Sequence, residues 1–220
     1  MKLIAHRGWS AGSGENTLAA FARAASHDSL SGVEFDVRRG VDGATLVVSH
    51  DPPAPDEPAL TLDAAVSLLA GTHLELFVEL KEPGIAAAAI EKLHSAGMAK
   101  RSVVFAFPGV ARSFPWRQPR SVRLGIIILY PWSIRRLVDA CAPDVVLLGW
   151  DERHWTRIAF RAWWSVLSLT QLARRCSAQV VVGVVGRAPD IRWLSRQSVY
   201  AAVIDMDRVG EDVWVPNESL

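Results

Sequence analysis

Short apolar runs recur along this chain, and several of them end on a charged or polar residue. Leu3-Ile4-Ala5 is the first, with His6 at its C-terminal end. A run this short and continuous predicts a buried strand. Val33–Val37 and Leu74–Leu80 predict two more, and Ser102–Ala106, Arg123–Leu129, Asp144–Leu148, Gln179–Val185 and Ala201–Ile204 a further five. Helical segments fit between most of them. Asn16 or Thr17 caps one running to about His27, Thr61 leads another to Ala70, and Ile85–Ala96 is an Ala-rich third. After the second strand, Asp42-Gly43 turns the chain into Thr45–Ser49, a hairpin extension. Buried strands alternating with helices predict a parallel sheet. Eight strand positions, the extension aside, predict a closed barrel rather than an open sheet. No Gly-, Ser- or Pro-rich linker divides the chain and no repeat is visible, so one domain is expected over residues 1–220. Little chain follows Ile204, and the last outer helix is expected to be short or missing.

Composition narrows this picture. Half of the 220 residues are hydrophobic and 21% are charged, which suits a globular chain long enough to bury a large core. A net charge of +1 gives no reason to expect a nucleic-acid partner. No apolar run is long enough to span a bilayer, and a first strand at residue 3 leaves no room for a signal peptide, so a cytoplasmic location is expected. Cys141 and Cys176 lack partners at metal-ligand spacing and are expected to be buried thiols.

The candidate chemistry lies in the first part of the chain. Ala5-His6-Arg7-Gly8, Gly14-Glu15-Asn16-Thr17, Val33-Glu34-Phe35-Asp36-Val37, Ser49-His50-Asp51 and Phe77-Val78-Glu79-Leu80-Lys81 follow one another in order. Side chains alternate across a strand, so Glu34 and Asp36 share a face, as do Glu79 and Lys81. Two carboxylates on one face repel each other unless a cation lies between them. Three oxygen donors of this kind suit Mg2+ or Ca2+. Each piece alone reads equally well as structure: a hydrogen-bonded histidine, a solvated edge, a surface ion pair. All of them together, in one order at predicted strand ends, point to a site.

The set resembles the glycerophosphodiester phosphodiesterase family. The likeness rests on the His-Arg-Gly start, Glu-Asn-Thr, Glu-x-Asp-Val, the Asp-Gly before a strand ending His-Asp, and Glu-x-Lys, and it covers about the first 85 residues well. It implies a TIM-type (β/α)8 barrel, one divalent cation, and hydrolysis of a glycerol phosphodiester to glycerol 3-phosphate and an alcohol. Carried over, it implies Glu34, Asp36 and Glu79 as metal ligands, His6 and His50 as the acid/base pair, and Arg7 and Lys81 on the substrate phosphate. Glu15 is placed to orient Arg7 or His6, or else to favour a helix N-terminus. The alternatives are a lipid-directed phosphodiesterase, of the lysophospholipase D or sphingomyelinase D kind, and a non-catalytic barrel that binds phosphoesters.

The chain departs from the family's pattern in three places. Only Pro52–Leu60, with prolines at 52, 53, 55 and 58, stands where the family has a long insertion, which predicts an open pocket. Gly183-Val184-Val185-Gly186 replaces an aromatic-containing stretch, leaving Trp9 or Trp150 to reach the barrel mouth. Over Arg153–Leu167, Arg153, Arg157 and Arg161 recur every four residues among Trp155, Phe160, Trp163 and Trp164. That segment reads either as an outer helix with aromatics on the sheet and arginines in solvent, the favoured reading, or as an interfacial helix or lid. The expected partner is a small-molecule phosphodiester, and the oligomeric state is left open.

Overall fold

The chain's computed structural model describes residues 1–10, 12, 14–56, 58–118, 120–150, 153–176 and 178–209, without the side chains of 154 and 173–176. Its strands are β1 (Lys2–Ala5), β2 (Gly32–Arg39), β3 (Leu46–Val48), β4 (Leu60–Thr61), β5 (Glu75–Leu80), β6 (Ser102–Ala106), β7 (Arg123–Ile128), β8 (Val145–Leu148), β9 (Gln179–Val185) and β10 (Ala201–Ile204). From β5 to β10 each strand pairs in parallel with the next, β2 pairs with β5, and β1 pairs with both β10 and β2. The sheet therefore closes into an eight-stranded parallel barrel, with the helices on its flanks.

Alternation sorts the side chains into two cores. Val33, Phe35 and Val37 of β2 and Leu76, Val78 and Leu80 of β5 face the helices and join the larger core. Ile4, Phe77, Val103, Phe105, Val145, Leu147, Val181 and Val203 fill the barrel itself. Below them, at the N-terminal end, Glu75 accepts hydrogen bonds from Lys2, Arg123 and Tyr200, the last two at 2.9 and 2.8 Å. The polar starts of four strands thereby meet inside the barrel. Gly32 has no side chain for a packing reason: a Cβ there would lie 2.7 Å from the Glu75 carbonyl and 2.8 Å from Ile4 Cδ1.

The expected hairpin forms. β3 runs antiparallel to the end of β2, with Val37 opposite Val48, and β4 runs antiparallel to β3. This pairing carries β2 on to Arg39, so Glu34 and Asp36 sit within a strand, not at its end as the sequence predicts. Between β3 and β4, residues 52–59 show neither helix nor strand among the described residues. Thr17 caps the first helix, Leu18–Ala25, by accepting from Ala20 N at 3.2 Å, and Thr61 caps Leu62–Ala70 by accepting from Ala64 N at 3.2 Å. A short helix, Met206–Val209, follows β10, and residues 210–220 lie outside the description. No helix among the described residues is long and apolar enough to cross a membrane.

Two expectations are corrected. Cys141 is half-buried rather than a core thiol; it sits at the end of the helix Ile134–Cys141, where burial raises its pKa. The Cys176 side chain lies outside the description. On the helix His154–Val166 the favoured reading holds only in part: Phe160 and Trp164 pack against the core, but two of the arginines are not in open solvent. Its Arg157 and Arg161 face inward, 3.3 and 3.0 Å from a carboxylate oxygen of the buried Asp190, on the neighbouring helix Ala188–Leu194. Trp164 is buried, while Trp155 and Trp163 face solvent. A buried carboxylate needs partners, and that requirement decides which face of the helix points in. Asp190→Ala is expected to cost about 1–3 kcal/mol, below the range for a fully buried pair because Arg161 is partly solvated. Urea denaturation measures it, and Arg161→Ala alone should cost less.

Candidate active site

The C-terminal halves of the strands and the loops that follow them bring the predicted residues together at the C-terminal mouth, the face on which barrels of this kind carry their chemistry. His6 leaves β1 and the backbone then turns through Arg7 and Gly8, with φ of 52° and 80°. The turn is held tightly: a Cβ on Gly8 would lie 2.8 Å from Ala20 Cβ, so the first helix packs directly on this backbone. A positive φ at a residue other than glycine is strain of the kind that persists at functional sites when neighbours fix it. Here the Arg7 amide donates to Glu34 Oε2 at 3.1 Å, and Asn16 N donates to the Arg7 carbonyl at 2.9 Å.

Glu34, Asp36 and Glu79 form one cluster. Each offers an oxygen within 4.8 Å of the other two. Asp36 is its centre: Arg7 Nε and Lys81 Nζ each lie 3.0 Å from its oxygens, and Asn16 Nδ2 donates to it at 3.0 Å. Lys81 also donates to Glu79 at 2.7 Å. His6 Nε2 stands 3.8 Å from Glu34 Oε2. His50, carried by the loop after β3, places Nδ1 at 2.6 Å from Arg7 Nη2 and 3.3 Å from Asp36 Oδ2. A guanidinium only donates, so His50 Nδ1 accepts from Arg7, and the proton of the neutral ring belongs on Nε2. Arg38 fixes the loop by donating to the His50 carbonyl at 2.8 Å. Glu15 accepts from Arg7 Nη1 at 2.5 Å, so of its two possible targets it contacts the arginine.

The charges do not sit easily together. Burial, then the nearby Asp36 and Glu79, hold the Glu34 carboxyl well above the usual range, and burial raises Glu79 as well. Burial also opposes ionisation of Asp36, but Lys81 and Arg7 outweigh it and pull Asp36 down. Burial and the charge of Arg7 lower His6 to about 4, leaving it neutral at physiological pH. Buried, mutually repelling oxygens at this spacing are the environment a hard divalent cation relieves: ligands 2.0–2.6 Å from one ion can be no more than about 4–5 Å apart. The donor set fits one such ion.

A cleft of about 790 Å³ opens above the cluster, lined by His6, Arg7, His50, Glu79 and Lys81. Its far wall holds Phe107, Trp150, Arg153, Arg157, Arg187 and Arg208. Trp150 thus reaches the mouth, whereas Trp9 is buried against His27 and Arg23 beside the first helix. Asp205 lines the cleft and pairs with Arg208 at 3.0 Å. Sequence reading misses Asn16 as the partner of Asp36, Arg38 as the anchor of His50, and the far wall, where the arginines stand among Asp190, Asp205 and Asp207. Asn16 carries a signal, its place inside the Glu15-Asn16-Thr17 motif, but a helix-capping role explains that signal too.

Solved structures share this barrel fold. A glycerophosphodiester phosphodiesterase from Agrobacterium tumefaciens str. C58 is 18% identical, with TM-score 0.69 over 93% of this chain and 96% of that one. One from Parabacteroides distasonis ATCC 8503 is 18% identical, with TM-score 0.71 over 93% and 92%. A phosphodiesterase from Oleispira antarctica, in complex with the product sn-glycerol-3-phosphate, is 18% identical, with TM-score 0.70 over 93% of each chain. At this identity the likeness is one of fold. Among curated proteins, none matches the sequence significantly. The profile of the Glycerophosphoryl diester phosphodiesterase family matches residues 6–212, which take in seven of the eight barrel strands, all but β1, and every site residue above, and the chain belongs to that family of phosphoric diester hydrolases.

Proposed function

We propose that this chain, acting as one domain, hydrolyses glycerophosphodiesters to glycerol 3-phosphate and an alcohol at the β-strand C-terminal mouth, with one bound divalent cation, Mg2+ or Ca2+. The observation that carries the reading is the oxygen cluster of Glu34, Asp36 and Glu79, within 4.8 Å of one another and facing two histidines and two cations across one cleft. The three carboxylates would hold the ion, which when bound neutralises phosphate charge and lowers the pKa of a coordinated hydroxyl. Lys81 and Arg7, now on Asp36, are placed to turn toward the phosphate, Arg7 as a planar fork and Lys81 as a point charge. His6 is neutral and suits the role of base, taking the proton of the attacking hydroxyl. His50, with its proton on Nε2, suits the role of acid, delivering it to the leaving alkoxide. Glu15 and Asn16 position Arg7 and Asp36.

Product analysis tests this reading. Glycerophosphocholine incubated with enzyme and Mg2+ or Ca2+ is expected to yield glycerol 3-phosphate and choline, while glycerol 3-phosphate itself stays intact. Binding of the diester without any cleavage would favour the non-catalytic alternative. Arg7→Lys is expected to lower kcat/KM by about 10- to 100-fold, because the charge survives but the two-pronged contact does not. Steady-state kinetics on the same diester check it.

A further inference from the structure

His50 stands where regular backbone pairing stops. Ser49 N still donates to the Asp36 carbonyl at 3.0 Å. Beyond it, residues 50–56, 58 and 59 make no backbone-to-backbone hydrogen bond among the described residues and belong to neither helix nor strand. A group on such a segment moves unless side chains hold it. Two arginines hold this one. Arg7 Nη2 donates to the ring at Nδ1, 2.6 Å away, and Arg38 Nε donates to the His50 carbonyl at 2.8 Å.

The second contact ties the loop to the strand that carries the carboxylates. On β2, Glu34, Asp36 and Arg38 share one face, because side chains alternate along a strand. The neighbouring Arg39 takes the other face and pairs with Glu82 at 3.5 Å, while its amide donates to the same carboxylate at 2.8 Å. Arg38 has no carboxylate partner among the described residues, and its one hydrogen-bond partner among them is the His50 carbonyl. Residues two apart on a strand stand roughly 6–7 Å from each other. His50 spans that interval, with its ring nitrogen Nδ1 3.3 Å from Asp36 and its carbonyl on Arg38. One strand thus sets both the carboxylate cluster and the place of the histidine beside it. Arg38 itself is not among the residues that line the cleft.

We propose that Arg38 is the positioning residue for the acid step: its Nε–H fixes the His50 carbonyl and thereby the point at which the ring presents its Nε2 proton. This rests on the phosphodiesterase reading above, in which His50 is the acid. In that step the P–O bond to the alcohol breaks, its electron pair stays on the oxygen, and the His50 Nε2 proton passes to that oxygen. Transfer needs about 2.6–3.2 Å between the heavy atoms, and a displacement of about 1 Å costs on the order of 10²-fold in rate. The role belongs to the donor at Nε, not to the charge. Glutamine places an amide nitrogen as many bonds from the backbone as arginine places Nε, so it keeps the contact; methionine has a similar length and no donor.

The test measures kcat and KM for wild type, Arg38→Met, Arg38→Gln, His50→Ala and the double variant His50→Ala/Arg38→Met. The substrates are glycerophosphocholine and the p-nitrophenyl diester of glycerol phosphate. Arg38→Met is expected to lose about 10- to 100-fold in kcat on glycerophosphocholine with KM within about twofold, and less than about threefold on the p-nitrophenyl diester, whose leaving group needs no proton. Arg38→Gln should recover most of that loss. In the His50→Ala background Arg38→Met should change the rate by less than about twofold, since it acts only through the missing histidine. Should Arg38→Met fail to fold, Arg38→Glu makes the same comparison, having the shape of glutamine and no donor. Long-range 1H–15N spectra of the metal-free protein at pH 8 read the His50 ring without turnover, its signals identified by their loss in His50→Ala. Wild type should show the tautomer with the proton on Nε2, and Arg38→Met a mixture nearer that of free imidazole. If wild type cleaves neither diester yet the tautomer still depends on Arg38, the phosphodiesterase reading has failed and the positioning of His50 stands. Equal losses on the two diesters would overturn the proposal. So would an Arg38→Gln enzyme as slow as Arg38→Met, which would give the role to the charge, or losses that multiply in the double variant.

Discussion

His6→Ala and His50→Ala are each expected to lower kcat by about 10²–10⁴, the range for loss of a general acid or base. The two losses should not multiply, because the residues act on one proton inventory. They should also differ in kind. His6 is neutral at physiological pH through burial and the charge of Arg7. Its removal should slow every diester, whatever the leaving group. His50 accepts from Arg7 through Nδ1 and so presents its Nε2 proton. Its removal should matter most for choline or glycerol as leaving group, and little for p-nitrophenol, which departs without a proton. Rates of both variants on glycerophosphocholine and on a p-nitrophenyl diester measure this. A His50→Ala enzyme equally slow on both would remove the acid assignment, and a near-wild-type rate for either variant would return that histidine to a structural role.

Glu34→Gln is expected to abolish most turnover and, without added cation, to stabilise the protein. The carboxyl is buried among Asp36 and Glu79 and titrates well above its ordinary value. A carboxyl raised in the folded state binds its proton more tightly there than in the unfolded chain. The stability this confers is full below the unfolded pKa and is lost as pH rises through the folded one. At neutral and alkaline pH the ionised group is therefore a burden that glutamine removes while still accepting from the Arg7 amide. The gain should be about 1–3 kcal/mol, or roughly 2–10 °C in Tm for a chain of this size. The stability of the metal-free wild type should fall more steeply than that of the variant as pH rises above about 5. Added Mg2+ or Ca2+ should raise the Tm of the wild type and leave the variant nearly unmoved. Thermal melts in chelator and in excess cation read all of these. A variant less stable than wild type in chelator at pH 8 would show that Glu34 supports the fold rather than a cation.

Much of this was legible in the sequence because a parallel barrel strand is buried on both faces and so reads as a continuous apolar run. Leu3-Ile4-Ala5 and Ala201–Ile204 announce themselves in that way, and the period of two puts Glu34 with Asp36, and Glu79 with Lys81, on one face of their own strands; that the two pairs meet is set by the register that brings Asp36 opposite Glu79. What stayed hidden depends on partners distant in sequence. The inward turn of Arg157 and Arg161 is set by Asp190, about 30 residues on, and no local periodicity reports it. The polar floor that joins Lys2, Glu75, Arg123 and Tyr200 is equally non-local, since each alone reads as an exposed strand start. Asn16 is visible as a motif residue, but a local capping role accounts for it in the sequence, and only the fold sets its side chain on Asp36.

The proposed function makes this barrel a cation-dependent phosphodiesterase through three strand-borne carboxylates. Glycerol 3-phosphate release from glycerophosphocholine, followed while Mg2+ or Ca2+ is titrated into fully chelated enzyme, tests it most directly. The expected result is a background rate in chelator, a saturable rise with added cation, and no rise in Glu34→Gln. Full turnover in excess chelator would contradict it.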